Sequence, residues 1–181
     1  MEQYTMLDNI RRHSFVVTRV AETIVGSLDL SLSKGIDPPD INLVRAGALL
    51  HDIAKTKCLD GSCRHAEEGQ AICEEHGFHN IGVIVREHVI LSSFTPERYK
   101  RGEFPAREIV YYADKRVRHE EIVSLNQRLD YIIERYGDGS DFIEQRIRDN
   151  FKSCLELEDF IFSFIDFGPD DLEGHIIPEQ F

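Results

Sequence analysis

Apolar residues recur at intervals of three and four along almost the whole chain, and no run of strict alternation extends beyond a few positions. That period is what an amphipathic helix buries, so the chain reads as all-α. The first helix is predicted over residues 5–28, with Ile10, Phe15, Val17, Val20, Ile24 and Leu28 broadly along one face. A breaker-rich connection from Ser33 to Asp40 leads to a second helix over 41–54. Its Leu43, Val44, Ala46, Ala48, Leu49 and Leu50 mark it as the expected central buried helix. Further helices are expected over 65–76 with Gly77 as the stop, over 80–91, after Pro105, over 119–136, and over 141–167 before Gly168-Pro169. The stretch 92–105, with Pro96, Gly102 and Pro105, reads as a long loop or lid. For the acidic tail from Pro169 onward three roles stay open: disorder, a cover for the active site, or a contact with a neighbouring subunit.

With 181 residues, the chain suits one domain and can bury roughly 70% of its unfolded surface. The organisation expected is a principal domain over 1–137 and a helical extension with tail over 138–181 that packs on it. Charge narrows the partners: 21 Lys+Arg against 33 Asp+Glu give a net charge of -12, the wrong sign for gripping a long nucleic acid or an anionic membrane. No apolar run approaches the ~20 residues that span a bilayer. The first residues lack the basic and apolar pattern of an export signal, and no two of the four cysteines have a two-residue spacer. Reduced thiols in a cytoplasm are therefore expected, although Cys58 and Cys63 are near enough in sequence to pair under oxidation.

Chemistry concentrates at His51-Asp52, in the run Ala48-Leu-Leu-His-Asp-Ile-Ala-Lys55. A carboxylate behind an apolar turn is costly unless it is paired, hydrogen-bonded or bound to a metal. A divalent ion satisfies both side chains, and mixed imidazole and carboxylate donors suit Fe, Mn, Ni, Co, Mg or Zn. His13 on the first helix and Asp114 in Ala113-Asp114-Lys115 lie behind apolar faces of their own. Three separate helices then each offer a ligand, and two positions of an octahedral ion remain for water and a substrate oxygen.

His13, His51-Asp52 and Asp114, in that order and spacing, resemble the HD-domain metal-dependent phosphohydrolases. The stretch Ala48–Lys55 and the entry His13-Ser14 followed by Val17, Val20 and Ala21 are similar to that family, and the likeness covers residues 7–120. It implies an all-helical HD-domain bundle with a C-terminal helical extension, and a hydrolase of phosphate esters or anhydrides. It also implies that His13, His51, Asp52 and Asp114 hold one divalent ion. His65 and His88 occupy places where dinuclear members have further ligands or substrate contacts, which would make two ions. The layout resembles the small bacterial hydrolases that split diadenosine tetraphosphate symmetrically, except that Val89-Ile-Leu follows His88 where a polar residue is expected.

A small phosphorylated substrate, nucleotide above all, follows from the resemblance. Catalytic roles are expected for Asp52, which would steer or accept a proton from water, and for Lys55, about one helical turn beyond His51. Arg86, Arg98, Lys100, Arg101, Lys115, Arg116 and Arg118 gather around and after His88 and Asp114, and Lys115 and Arg118 are the expected substrate contacts. His76, His79, His119 and His175 carry no pattern and read as surface residues. Two rivals remain: a cyclic-nucleotide or general phosphodiesterase using a second metal, and a catalytically silent HD domain that senses a nucleotide or a partner protein. A homo-oligomer stays open.

Overall fold

The computed structural model describes residues 1–31, 33, 35–137 and 139–176. After a 3-10 turn at Glu2–Tyr4 the chain forms α1 (Asp8–Ser27), α2 (Ile41–Leu50), α3 (His65–Glu75), α4 (His79–Glu87), α5 (Pro96–Tyr99) and α6 (Ala106–Lys115). A hairpin of β1 (Val117–Arg118) and β2 (Glu121–Ile122) follows, then α7 (Leu125–Tyr136), α8 (Asp141–Phe162) and a 3-10 turn at Pro169–His175. The fold is all-α. No described helix is long and apolar enough to cross a membrane.

Local chemistry sets most of these boundaries. Asp40 caps α2 by accepting from the amides of Asn42 and Leu43, and Ser124 with Gln127 forms a capping box on α7. Gly77 takes a left-handed φ of 78° between α3 and α4, where a side chain would be strained. The α1 stripe of Ile10, Val17, Val20, Ala21 and Ile24 is buried, each large member worth about 1.5–3 kcal/mol against leaving it in water.

Several expectations change. The central helix is α6, buried at every position except Arg107, because α1, α2, α4 and α8 all pack around it. The helix α2 buries only Val44, Gly47 and Ala48 fully, and it ends at Leu50, short of the expected residue 54. Residues 92–105 are no lid: Tyr99 and Phe104 are buried, and Tyr99 meets Phe94, Phe104 and Phe160 at ring distances of 5.2, 6.0 and 5.8 Å. The expected helix over 119–136 begins only at Leu125. The hairpin pairs Val117 with Ile122 and turns through His119, whose φ is 57°. In α8, Phe151, Cys154, Leu157 and Ile161 join the same core as α1 and α6. Leu172 in the tail is fully buried there too, and Arg116 Nη2 donates to the Pro169 carbonyl at 2.8 Å. The tail residues 177–181 and Lys34 of the first connection lie outside the described residues.

Candidate metal centre

Five elements deliver six side chains to one place. The buried face of α1 carries His13, the chain leaving α2 carries His51 and Asp52, α3 starts on His65, α4 ends at His88, and α6 supplies Asp114. Three of the imidazoles are held the same way. Nδ1 of His13 donates to the carbonyl of His119 at 2.8 Å, Nδ1 of His51 to Ala48 at 2.7 Å, and Nδ1 of His88 to Val85 at 2.6 Å. A carbonyl only accepts, so each Nδ1 carries the proton and each Nε2 turns its lone pair inward, the arrangement that prepares imidazole for a metal. The strained backbone of His119 thereby gains a role, although its side chain stays on the surface as expected.

The inward atoms converge. His13 Nε2 is 3.0 Å from Asp114 Oδ1, and His51 Nε2 is 3.4 Å from Asp52 Oδ2 and 3.7 Å from Asp114 Oδ1. On the other side of the same carboxylate, His65 Nε2 and His88 Nε2 lie 3.4 and 3.5 Å from Asp52 Oδ1 and 3.2 Å from each other. Two overlapping donor triads result, His13–His51–Asp52 and Asp52–His65–His88, each with ligand atoms within 4.8 Å of one another. His51 Nε2 and Asp52 Oδ1 are buried with no hydrogen-bond partner. Each orphan costs about 1–3 kcal/mol. A divalent cation fits these donors in number, kind and orientation.

Electrostatics prepares the same donors. Burial pushes Asp52 up, but the Lys55 ammonium at 2.7 Å and His51 more than offset it and hold the carboxyl well below its usual range. Asp114 behaves likewise, with burial outweighed by Lys115, His13 and Arg128. Burial and the neighbouring His88 push His65 down to about 4, and burial lowers His88 as well. Both rings are thus neutral, with lone pairs free, near neutral pH.

The centre opens into a cavity of about 470 Å³. Lys55, His65, His88, Asp114 and Lys115 line its inner side. Lys115 is buried, with Nζ 2.7 Å from the His88 carbonyl and 3.3 Å from Asp114 Oδ2, while the Lys55 side chain is 30% exposed. Val89 and Ile90 form part of the apolar wall, which explains why no polar residue follows His88. Most of the expected phosphate-focusing cations are elsewhere. Arg86 pairs with Glu67, Arg98 and Arg101 with Glu103, Lys100 with Glu97, and Arg116 with Glu158. Arg118 pairs with Glu121 across the hairpin at 2.7 Å and does not line the cavity. Nearby acidic residues neutralise these charges. The cavity instead takes Arg128 and Arg135 from α7 and Arg146 from α8, which the sequence reading missed. The available signal was an arginine recurring within the apolar stripe of each helix.

The loop between Lys55 and His65 carries a second correction. Cys58 and Cys63 are joined by a disulfide, against the expectation of reduced thiols, while Cys73 and Cys154 are free and buried. Five residues apart around Asp60-Gly61, the two sulfurs are brought together by the turn. Cys58 and Leu59 also line the cavity.

The family model of the HD domain matches residues 10–118. No curated protein and no solved structure matches the chain.

Proposed function

The chain belongs to the HD-domain family, a superfamily of metal-dependent phosphohydrolases, and from that premise we propose that it hydrolyses a phosphate ester or anhydride of a nucleotide or other small phosphorylated metabolite. The observation that carries this reading is the pair of donor triads sharing Asp52, with orphaned His51 Nε2 and Asp52 Oδ1 between them. His13, His51, Asp52 and Asp114 would hold one ion, and Asp52, His65 and His88 a second, with Asp52 between the two. When bound, such ions supply a Lewis acid for phosphoryl oxygen and water of lowered pKa at neutral pH.

The chain's own groups divide the remaining work. A carboxylate held as low as Asp52 is a ligand first and a weak proton acceptor, which favours a positioning role over the general base expected for it. Lys55 keeps that carboxylate ionised and faces the cavity, where its ammonium is within the reach of an anionic substrate. Lys115 fixes the end of α4 through the His88 carbonyl and offers a second positive charge. A volume of about 470 Å³ with apolar walls suits a small metabolite rather than a polymer. The likeness in layout to the symmetrical diadenosine-tetraphosphate hydrolases supports a nucleotide.

The test is phosphate release from nucleotides, dinucleoside polyphosphates and sugar phosphates with added Mn²⁺ or Fe²⁺, beside Asp52→Ala. Turnover that disappears in the variant supports the hydrolase. No turnover on any compound with metal bound would transfer the reading to a nucleotide-binding sensor.

A further inference from the structure

The two helices beyond the family match, α7 and α8, each turn an unusual stripe toward the cavity. On α7 the stripe is Arg128, Ile132, Arg135, and on α8 it is Ile143, Arg146, Ile147. Spacings of three and four put each set on one helix face, where an inward stripe is normally wholly apolar. Arg128 is buried, where an arginine is costly unless an anion meets it, whereas Arg135 and Arg146 line the cavity from exposed positions.

Arg128 shows the cost directly. Its side chain is only 9% exposed, yet Nε has no hydrogen-bond partner. Its ion pair is with Asp114, whose Oδ1 lies 3.8 Å from Nη2, too far for a hydrogen bond. Its guanidinium also sits 5.4 Å from the ring centre of Tyr131, a contact that adds no negative charge. Arg135 and Arg146 make no ion pair among the described residues, in contrast to the arginines at 86, 98, 101, 107, 116 and 118. In a chain of net charge -12, two arginines with no ion pair among the described residues, on the cavity that Arg128 and Asp114 also line, are a selective arrangement. Beside Arg146 a second cavity of about 300 Å³ opens, sharing Ile90 and Asn150 with the first and adding Phe94 and Tyr111.

We propose that Arg128, Arg135 and Arg146 form an anion track from the metal centre outward. Arg128 clasps the phosphoryl group at the centre, and Arg135 with Arg146 receives a second phosphoryl group of the same substrate. The substrate class is a phosphoanhydride carrying an apolar or aromatic moiety, as in a nucleoside polyphosphate, with that moiety on the Ile132–Ile147 wall. This rests on the phosphohydrolase reading for the site and adds which part of the substrate the C-terminal helices read.

Binding tests the track independently of turnover. Protein loaded with Mn²⁺ and desalted is titrated calorimetrically with inorganic phosphate and with methylenediphosphonate, which resists hydrolysis. The diphosphonate should bind at least about tenfold tighter, the scale of one charge-assisted hydrogen bond. The double variant Arg135→Gln/Arg146→Gln should erase that ratio. Arg128→Gln should weaken both anions about tenfold or more, with Arg128→Lys losing less because it keeps charge without the two-pronged fork. Arg148→Gln, on α8 and paired with Glu144, should leave both affinities at the wild-type values. Melting curves identify a double variant that fails to fold, for which the single variants Arg135→Gln and Arg146→Gln substitute, each expected to reduce the ratio. A wild-type ratio near one, or a ratio that survives the double variant, overturns the track. Lack of turnover with the binding pattern intact would count against the hydrolase and leave the track standing. Turnover without the ratio would do the reverse.

Discussion

His51 and Asp52, adjacent in the chain, set Nε2 and Oδ2 3.4 Å apart in the core, and neither His51 Nε2 nor Asp52 Oδ1 finds a hydrogen bond. Side chains that are 0% and 1% exposed have no water to compensate them. Packing alone gives no reason to place such a pair at the end of α2, whereas a shared cation removes both deficits at once.

Metal should therefore stabilise the fold measurably. At a free ion concentration of 100 times Kd, binding contributes about 2.7 kcal/mol, which for a chain of this length raises Tm by roughly 5–10 °C. Thermal melts with Mn²⁺ after chelator treatment should show this rise for the wild type and little for Asp52→Asn. Equal shifts in both would place the bound ion elsewhere.

Acid should destabilise the metal-free protein in two stages. His65 and His88 are lowered from 6.5, so the unfolded chain takes up their protons first. The stability they contribute is present above pH 6.5 and is lost as pH falls toward 4, on the order of 3 kcal/mol for His65. His51 acts in the opposite sense: burial lowers it, but Asp52 and Asp114 raise it overall, so its contribution is full below 6.5 and lost as pH rises through its folded value. Because the His51 contribution is already full below 6.5, it does not change from 6.5 to 4, and the loss from His65 and His88 stands there unopposed. Asp52 and Asp114, held well below 3.8, add a second loss only under more acidic conditions. Denaturant titrations from pH 8 to 4 in chelator check this. His65→Asn should flatten the upper stage, and a wild-type curve that is already flat there would refute it.

Gly69 lets α3 close on α4. A Cβ at that position would lie 2.6 Å from Val85 Cγ1 and 3.3 Å from Ile53 Cγ2. Gly69→Ala should cost about 1–3 kcal/mol by overpacking. It moves the helix bearing His65 against the one bearing His88, so in metal titrations the second ion should weaken more than the first. Equal weakening would separate the glycine from the second triad.

The Cys58–Cys63 bridge closes a short loop that begins near Lys55 and ends near His65. Loop-closure entropy for so few residues gives roughly 2 kcal/mol. Cys58→Ser/Cys63→Ser should lower stability by about that amount and reduce affinity for the second ion, whereas a dithiol should affect only the wild type. A reducing cytoplasm would keep the bridge open, so its state in freshly lysed cells, read by thiol alkylation, bears on where the protein works.

Much of the centre was legible in the sequence because it is built from local runs. His13, the His51-Asp52 doublet and Asp114 each follow apolar turns, and their order is the family's. The hairpin at 117–122 was not legible, since two residues per strand leave no alternation to detect and the following apolar residues keep helical spacing. Nor was the exchange of cations: whether an arginine serves a substrate depends on which glutamate folds beside it. Arg98 finds Glu103, while Arg146, some 48 positions later, finds only the cavity and the Phe142 ring among the described residues. The depth of α6 was hidden by its many polar letters. Glu108 is buried there because Tyr99 and Arg107 both donate to it.

The sharing of Asp52 between two ions is tested most directly by counting metal per chain after Mn²⁺ loading and desalting. Two ions are expected in the wild type, one in a His65→Ala/His88→Ala variant, and none retained in Asp52→Ala. A wild-type content of one or zero, or a content indifferent to Asp52, would contradict the two-triad centre.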